Sequence, residues 1–261
     1  MSVSARTRSL EHASWVELAA AFAEAFSDYA VPMAMTPEVL ERMQRRRGYD
    51  PAASFGAYVD DRLVGFVLTC RDGDRVYNSG TGVAPAHRRG GVARDLLEAV
   101  IASVGARPYV LEVLEDNAKA IAFYRSAGFA VTRRLQCWTY AGPRAPLPEL
   151  AAVPDLPGDV EPSWQNSAAS LARAIEPHAI VGDADGHAAV FPSNGDLPRL
   201  VVAPGARRRG LGTRLLAGAS ARAQAPLRIL NVDAAATGVA AFLDAAGCRP
   251  TVAQLEMIRV R

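Results

Sequence analysis

The stretch V-A-P-A-H-R-R-G-G-V-A-R-D-L-L, from Val83 to Leu97, returns from Val202 to Leu216 as V-A-P-G-A-R-R-R-G-L-G-T-R-L-L. The offset is 119 residues throughout, pairing Arg88 with Arg207 and Gly91 with Gly210. Carried on without a gap, it pairs Leu111 with Leu230, Val113 with Val232, Phe123 with Phe242 and Gly128 with Gly247. A chance motif does not hold register across strand, loop, helix, strand and helix; a duplicated structural unit does. Each copy reads as an apolar strand running into a glycine- and arginine-rich loop that opens a helix. The first turn of a helix leaves backbone N–H groups unpaired and carries the positive end of the dipole, so such a loop is an anion site. Glycine lets the backbone approach a ligand where a Cβ would collide.

Two other phosphate motifs are excluded. No G-x-x-x-x-G-K-[ST] run occurs, which removes a P-loop. Gly80-Thr81-Gly82 begins like a dinucleotide fingerprint, but its sixth position is Pro85. By contrast, Arg88-x-x-Gly91-x-Ala93 and Arg207-x-x-Gly210-x-Gly212 both resemble the Q/R-x-x-G-x-G/A signature of the GCN5-related N-acetyltransferase (GNAT) superfamily. Downstream, L-E-V-L-E-D-N-A-K-A-I-A-F-Y-R-S-A-G-F, from Leu111 to Phe129, resembles that family's next strand and helix. The resemblance covers most of residues 1–140 and, more weakly, about 160–261. It implies an α/β fold with a mixed sheet, in two tandem GNAT-like modules. It also implies acetyl-CoA as co-substrate, its pyrophosphate held by Val83, Arg88, Arg89, Gly90, Gly91, Val92, Ala93 and Arg94. Asn117 is either a further cofactor contact or the cap of its helix.

Composition agrees with two compact domains in 261 residues: half of them are hydrophobic and 21% charged. A net charge of +2 gives no basic excess for nucleic acid or a membrane surface. The basic residues are nearly all arginine, Lys119 being the only lysine. Cys70, Cys137 and Cys248 are few, scattered and odd in number, so neither a disulfide framework nor a metal cluster is expected. Glu11, His12, Glu17 and Asp28 stand where a signal peptide needs an apolar core, and a cytoplasmic protein is expected.

Along the chain, Trp15, Leu18, Phe22 and Phe26 recur at helical spacing behind Ser14, a cap candidate. Thr36-Pro37-Glu38 opens a second helix that ends in Arg45-Arg46-Arg47-Gly48, cations and a glycine stop. Ser54–Val59, a turn at Asp60-Asp61 and Arg62–Cys70 read as a hairpin. A strand near Val76–Val83 leads into the anion loop, with a helix from Gly91 to Val104 after it. A strand Tyr109–Leu114, a helix Asn117–Ala127 and a strand Val131–Tyr140 follow, giving a mixed sheet with helices on both faces. Residues 142–159 carry five of the chain's 17 prolines and read as a linker between modules 1–141 and 160–261. The second module opens with Ser163-Trp164-Gln165-Asn166, read as a capped helix start. His178–Val181, His187–Phe191 and Leu197–Val202 follow as short strands. Its loop comes only about fifty residues after the linker, against nearly ninety in the first, so the second module is abbreviated where the family builds its substrate-binding helices.

Amine acetylation needs a neutral amine and a protonated leaving thiolate. An alkyl amine has a pKa of about 10.4, so a general base must remove its proton. The family often places a glutamate on the strand after the loop helix and a tyrosine on the next helix. In its ribosomal-protein N-terminal acetyltransferases the two stand twelve residues apart, and Glu112 and Tyr124 match that pattern. On this resemblance Glu112 is the base and Tyr124 the acid. From the residues alone, the alternative readings are a surface-facing strand carboxylate for Glu112 and a core aromatic beside Phe123 for Tyr124. Asp28, Tyr29 and Tyr58 are further cleft candidates. In the second copy the offset turns Glu112 into Asn231, Tyr124 into Leu243 and Asn117 into Ala236, so that module lacks both proton-transfer groups. The expected activity is acyl-CoA-dependent N-acyl transfer to a small-molecule or peptide amine. It would be carried by a monomer built as an intramolecular pseudo-dimer, without metal, nucleic acid or membrane. A non-catalytic acyl-CoA-binding regulator is the alternative.

Overall fold

The computed structural model describes residues 5–28 and 35–260. Its contacts divide the chain into unit 1 (Met1–Leu111, Ala172–Ile175 and Ile258–Arg261) and unit 2 (Glu112–Leu171 and Glu176–Met257).

Unit 1 begins with a short edge strand, β1 (Arg6–Ser9), which sequence patterning does not predict. All four of its residues are exposed, so it has no apolar alternation; it is held by antiparallel pairing with β2. Helix α1 (Trp15–Ala25) starts where Ser14 accepts from the Glu17 amide at 3.1 Å and buries Leu18, Ala21 and Phe22. Helix α2 (Pro37–Arg47) is capped by Thr36, begins on Pro37 and stops at Gly48, whose φ of 84° only glycine adopts cheaply. Strands β2 (Phe55–Val59) and β3 (Arg62–Asp72) form the expected hairpin, turning on Asp60 and Asp61 at φ 49° and 59°. Strand β4 (Arg75–Val83) pairs antiparallel with β3, and α3 (Val92–Val104) follows the loop. Strand β5 (Tyr109–Leu114) joins β4 in parallel from Val76↔Tyr109 to Asn78↔Leu111. The strand order is β1-β2-β3-β4-β5, and α1 and α2 pack an apolar cluster of Leu18, Phe22, Leu40, Phe66 and Leu68.

Unit 2 holds the end of β5, helix α4 (Ala118–Ser126) and strand β6 (Ala130–Tyr140). The proline-rich segment forms no helix or strand, as its composition dictates, yet it is docked. Leu150 donates to Ile180 at 2.7 Å, and an added Cβ on Gly218 would lie 2.6 Å from the Leu147 side chain. The helix expected at Ser163 is only a 3-10 turn, Trp164–Asn166, with no cap bond from Ser163. The cap falls to Ser167, which receives the Ser170 amide at 3.1 Å at the start of a five-residue helix, α5 (Ala168–Ala172). Strands β7 (Ala179–Asp183), β8 (Gly186–Val190) and β9 (Arg199–Val202) form an antiparallel sheet. Helix α6 (Leu211–Arg222), strand β10 (Leu227–Asp233), helix α7 (Thr237–Ala245) and strand β11 (Arg249–Arg259) complete the chain. The second module has α5 alone where the first has α1 and α2, which is its abbreviation.

The other strands of unit 2 are ordered β5-β11-β6-β10. The 119-residue offset maps β5 onto β10 and β6 onto β11, so this order reads the same from either end. Each module's last strand therefore lies beside the other module's strands. Arg133 on β6 and Glu256 on β11 are joined by two hydrogen bonds, at 3.0 and 2.6 Å. Among the described residues no helix is long and apolar enough to cross a membrane.

Candidate active site

The anion loop lies in unit 1. Its conformation is set by two residues with left-handed backbone, Arg89 at φ 64° and Gly91 at φ 89°, and Gly91 is the N-cap of α3. Gly91 stands in open space, where an added Cβ would meet no atom closer than Asp95 Oδ1 at 4.0 Å. Arg94 and Asp95 return their amides to the Gly91 carbonyl at 2.8 and 3.0 Å. Among the described residues, no protein acceptor receives the amides of Gly90, Gly91, Val92 or Ala93. Arg88, Arg89, Gly90, Gly91 and Arg94 are exposed. An exposed row of free donors at a helix start fits a pyrophosphate.

The Arg88 side chain turns back into the protein. Its Nε donates to the Val83 carbonyl at 2.9 Å, its Nη2 to the Ala25 carbonyl at 2.7 Å, and its guanidinium grips Asp28 at 2.6 and 3.0 Å. Those hydrogen bonds hold the Asp28 carboxyl below the usual carboxylate range. Arg88 thus closes the loop between β4 and the end of α1. Of the other cleft candidates, Tyr29 lies outside the described residues, and Tyr58 is covered by the Arg8 guanidinium at 4.6 Å from its ring. A further feature had no sequence signal: between Leu68↔Gly80 and Thr69↔Asn78 the register slips, leaving Ser79 as a bulge on β4. Arg47, which the sequence reads as a helix-end cation, binds that bulge through the Ser79 carbonyl at 3.2 Å and hydroxyl at 2.9 Å.

The proton-transfer candidates lie in unit 2. Glu112 on β5 is half-buried, and its Oε2 accepts from Asn231 Nδ2 at 2.6 Å. Tyr124 on α4 is 9% exposed, its ring 5.2 Å from Phe123 and edge-on to Phe129 at 5.7 Å. Asn117 caps α4, accepting from the Ala120 amide at 3.1 Å. The repeat diverges where the sequence says it should. Leu243, in the place of Tyr124, is buried in the apolar core of unit 2, and Ala236, in the place of Asn117, makes no cap bond. The second loop keeps its backbone, with Arg208 at φ 60° and Gly210 at φ 79°. Arg207 repeats the inward turn, donating to Val202 at 3.0 Å and to Asp159 at 2.8 Å.

The sequence profile of the acetyltransferase (GNAT) family matches residues 15–129, which include the loop, β5 and α4. Residues 15–129 are thus similar to the GNAT family, and the whole chain has the fold of GNAT proteins, one of them a tandem. Its fold is similar over 98% of its length to a GCN5-related N-acetyltransferase from Sphaerobacter thermophilus, at 14% identity and a TM-score of 0.72, covering 95% of that chain. It is similar over 99% to a Pyrococcus horikoshii protein assigned as an acetyltransferase, with 12% identity, a TM-score of 0.73 and 90% of that chain covered. A tandem GNAT protein from the clavulanic acid biosynthesis pathway is 16% identical, with 98% of both chains aligned and a TM-score of 0.65. No curated protein has a sequence that matches the chain. The GNAT family implies acyl transfer from acetyl-CoA.

Proposed function

We propose that the first module is an N-acetyltransferase that moves an acetyl group from acetyl-CoA to a primary amine by direct attack, with Glu112 as general base and Tyr124 as general acid. The loop supports this most: its left-handed Arg89 and Gly91 and the open first turn of α3 offer preformed donors to a pyrophosphate. When bound, acetyl-CoA supplies the acyl group already activated as a thioester. Amides from Gly90 to Ala93 hold the phosphates, while Arg88 keeps the loop closed on Val83 and Asp28. Glu112 takes a proton from the acceptor's ammonium group, leaving the nitrogen lone pair free to attack. The Tyr124 hydroxyl gives its proton to the sulfur as the C–S bond breaks, and the phenolate regains a proton from the nitrogen that has bonded to the acetyl carbon; a phenol's pKa of about 10 suits that exchange. The second module has no group at either position that can do this work, since a leucine holds no transferable proton.

The test is a panel of amines (aminoglycoside, polyamine, amino acid and peptide N-terminus) assayed by free thiol release. With an acceptor in hand, Tyr124→Phe is expected to lower turnover by about 10²–10⁴ with little change in acetyl-CoA affinity. Glu112→Gln is expected to lose activity chiefly on the acid side, where the amine is most protonated. Full activity in both variants would overturn the mechanism. Tight binding of acetyl-CoA with no turnover across the panel would overturn the enzyme reading in favour of a regulatory binding protein.

A further inference from the structure

Glu112 and Asn231 are the same position of the repeat, 119 residues apart, and they meet: Asn231 Nδ2 donates to Glu112 Oε2 at 2.6 Å. The local structure of β10 is built around that contact. Ile229 pairs with Trp138 and Val232 with Gln136, so Leu230 and Asn231 together face Cys137 alone. This is a bulge, which re-aims a side chain, and Asn231 sits in it at φ 56°, a conformation asparagine tolerates better than most residues. Asn166 pins the bulge by donating to the Leu230 carbonyl at 2.6 Å. Cys137 Sγ accepts the Asn231 amide at 3.3 Å and donates to Asn231 Oδ1 at 3.1 Å. With Oδ1 engaged as an acceptor, the NH2 end is the one turned to Glu112, and an ionised carboxylate can only accept. Asn231 is 3% exposed, so its amide does not exchange this partner for water.

We propose that Asn231 of the second module is a positioning residue for Glu112, holding its carboxylate oriented and ionised for proton removal. This rests on the reading of Glu112 as general base. A hydrogen bond from a neutral amide favours the charged form of a carboxyl and lowers its pKa moderately. An arginine in its place would lower it far more and leave a poor base; Glu115 is lowered in that way by Arg134. On β6 the Cys137 thiol is pushed up by burial, with the Glu112 charge adding to the effect. Gln254 on β11 and Arg228 on β10 act on the same thiol in the opposite sense. The second module thus has lost its own base and spends the corresponding position on its neighbour's.

The experiment is a carboxyl titration of the full chain labelled with 13C at glutamate Cδ, the Glu112 resonance being assigned by its loss in Glu112→Gln. Asn231→Gly keeps the left-handed backbone and removes the donor; the Glu112 midpoint is expected to rise by about one pH unit. Asn231→Asp keeps the shape and puts a second carboxylate on the first, so its rise is expected to be larger and provides the second variant if the glycine form does not fold. The acid limb of kcat/KM, measured on the acceptor found in the panel, should move with the midpoint in both. A purely structural role would change stability without moving either. An unmoved Glu112 midpoint in a folded variant overturns the proposal while leaving the base assignment intact. Retention of the full acid limb in Glu112→Gln instead overturns the base assignment, and the proposal with it.

Discussion

Glu256→Gln changes one atom in an enclosed ion pair of unit 2, and its cost follows from what surrounds it. The Glu256 and Arg133 side chains are 5% and 17% exposed. Glu256 accepts from Arg133 at 3.0 and 2.6 Å and from the Thr132 hydroxyl at 3.0 Å. Breaking a buried pair by neutralising one partner costs about 3–5 kcal/mol, because the other charge is left uncompensated. Arg133 keeps part of its compensation, from Asp233 at 3.6 Å and the Glu161 carbonyl at 2.7 Å, so the low end applies: about 3 kcal/mol. Arg133→Met leaves a buried carboxylate with only the Thr132 hydroxyl as donor and is expected to cost about 4 kcal/mol. The double variant Arg133→Met/Glu256→Leu removes both charges and is expected to come within about 1 kcal/mol of the parent. Urea unfolding followed by tryptophan fluorescence measures this cycle, since Trp138 and Trp164 both lie in unit 2 and are 8% exposed. Single variants as stable as the parent, or a double variant as unstable as the sum of the singles, would refute the reasoning.

Gly91→Leu is expected to abolish acetyl-CoA binding by calorimetry while the protein stays folded. The space around Gly91 is open, so the fold meets only the strain of a non-glycine residue at φ 89°, about 1–2 kcal/mol, whereas the ligand meets the side chain; unchanged affinity would exclude this loop as the phosphate site. His187, fully buried, receives a hydrogen bond from Arg199 Nε at 2.9 Å, and burial pushes its pKa down from 6.5 to about 4, with the Arg199 charge adding to the effect. The unfolded chain then binds the extra proton, so stability is expected to fall as pH drops from 6.5 to about 4, by at most about 3 kcal/mol, and to be unaffected above that window. His187→Phe removes this component; an identical acid loss in that variant would show that His187 does not contribute.

Most of the elements were legible because their signals are local. Ser14, Thr36-Pro37 and Gly48 mark helix ends by the hydrogen bonds and backbone angles they favour, and all occupy those roles. Asp60-Asp61 and the apolar run of β3 specify a hairpin in the same way. Where the local signal is weak, the reading stops. Strand β1 has no buried face to pattern it, and Ser163-Trp164 has a cap residue but no helix long enough to need one. Of the candidate site, the loop conformation could be read from its glycines, and the fate of the second copy from Leu243 and Ala236. Arg88 could not, because the acceptors that turn it inward, Ala25 and Asp28, lie about sixty residues back in the chain.

The strand order β5-β11-β6-β10 was illegible for a deeper reason. A repeat in sequence says that two modules share a fold; it does not say which copy of a strand completes which sheet, because β6 and β11 have the same pattern and either can fill either slot. What distinguishes the arrangements is side chains that are not copies of each other. Arg133 corresponds to Val252 and Glu256 to Cys137, so each charge of the buried pair stands opposite a partner that its own repeat lacks. Glu112 and Asn231 differ in the same way: two glutamates meeting there would repel, whereas a carboxylate and an amide bond. Divergence between the copies is therefore a condition of the exchanged sheet. On the proposed mechanism, the asparagine that stands in the second copy in place of a glutamate is what lets that copy hold the Glu112 carboxylate.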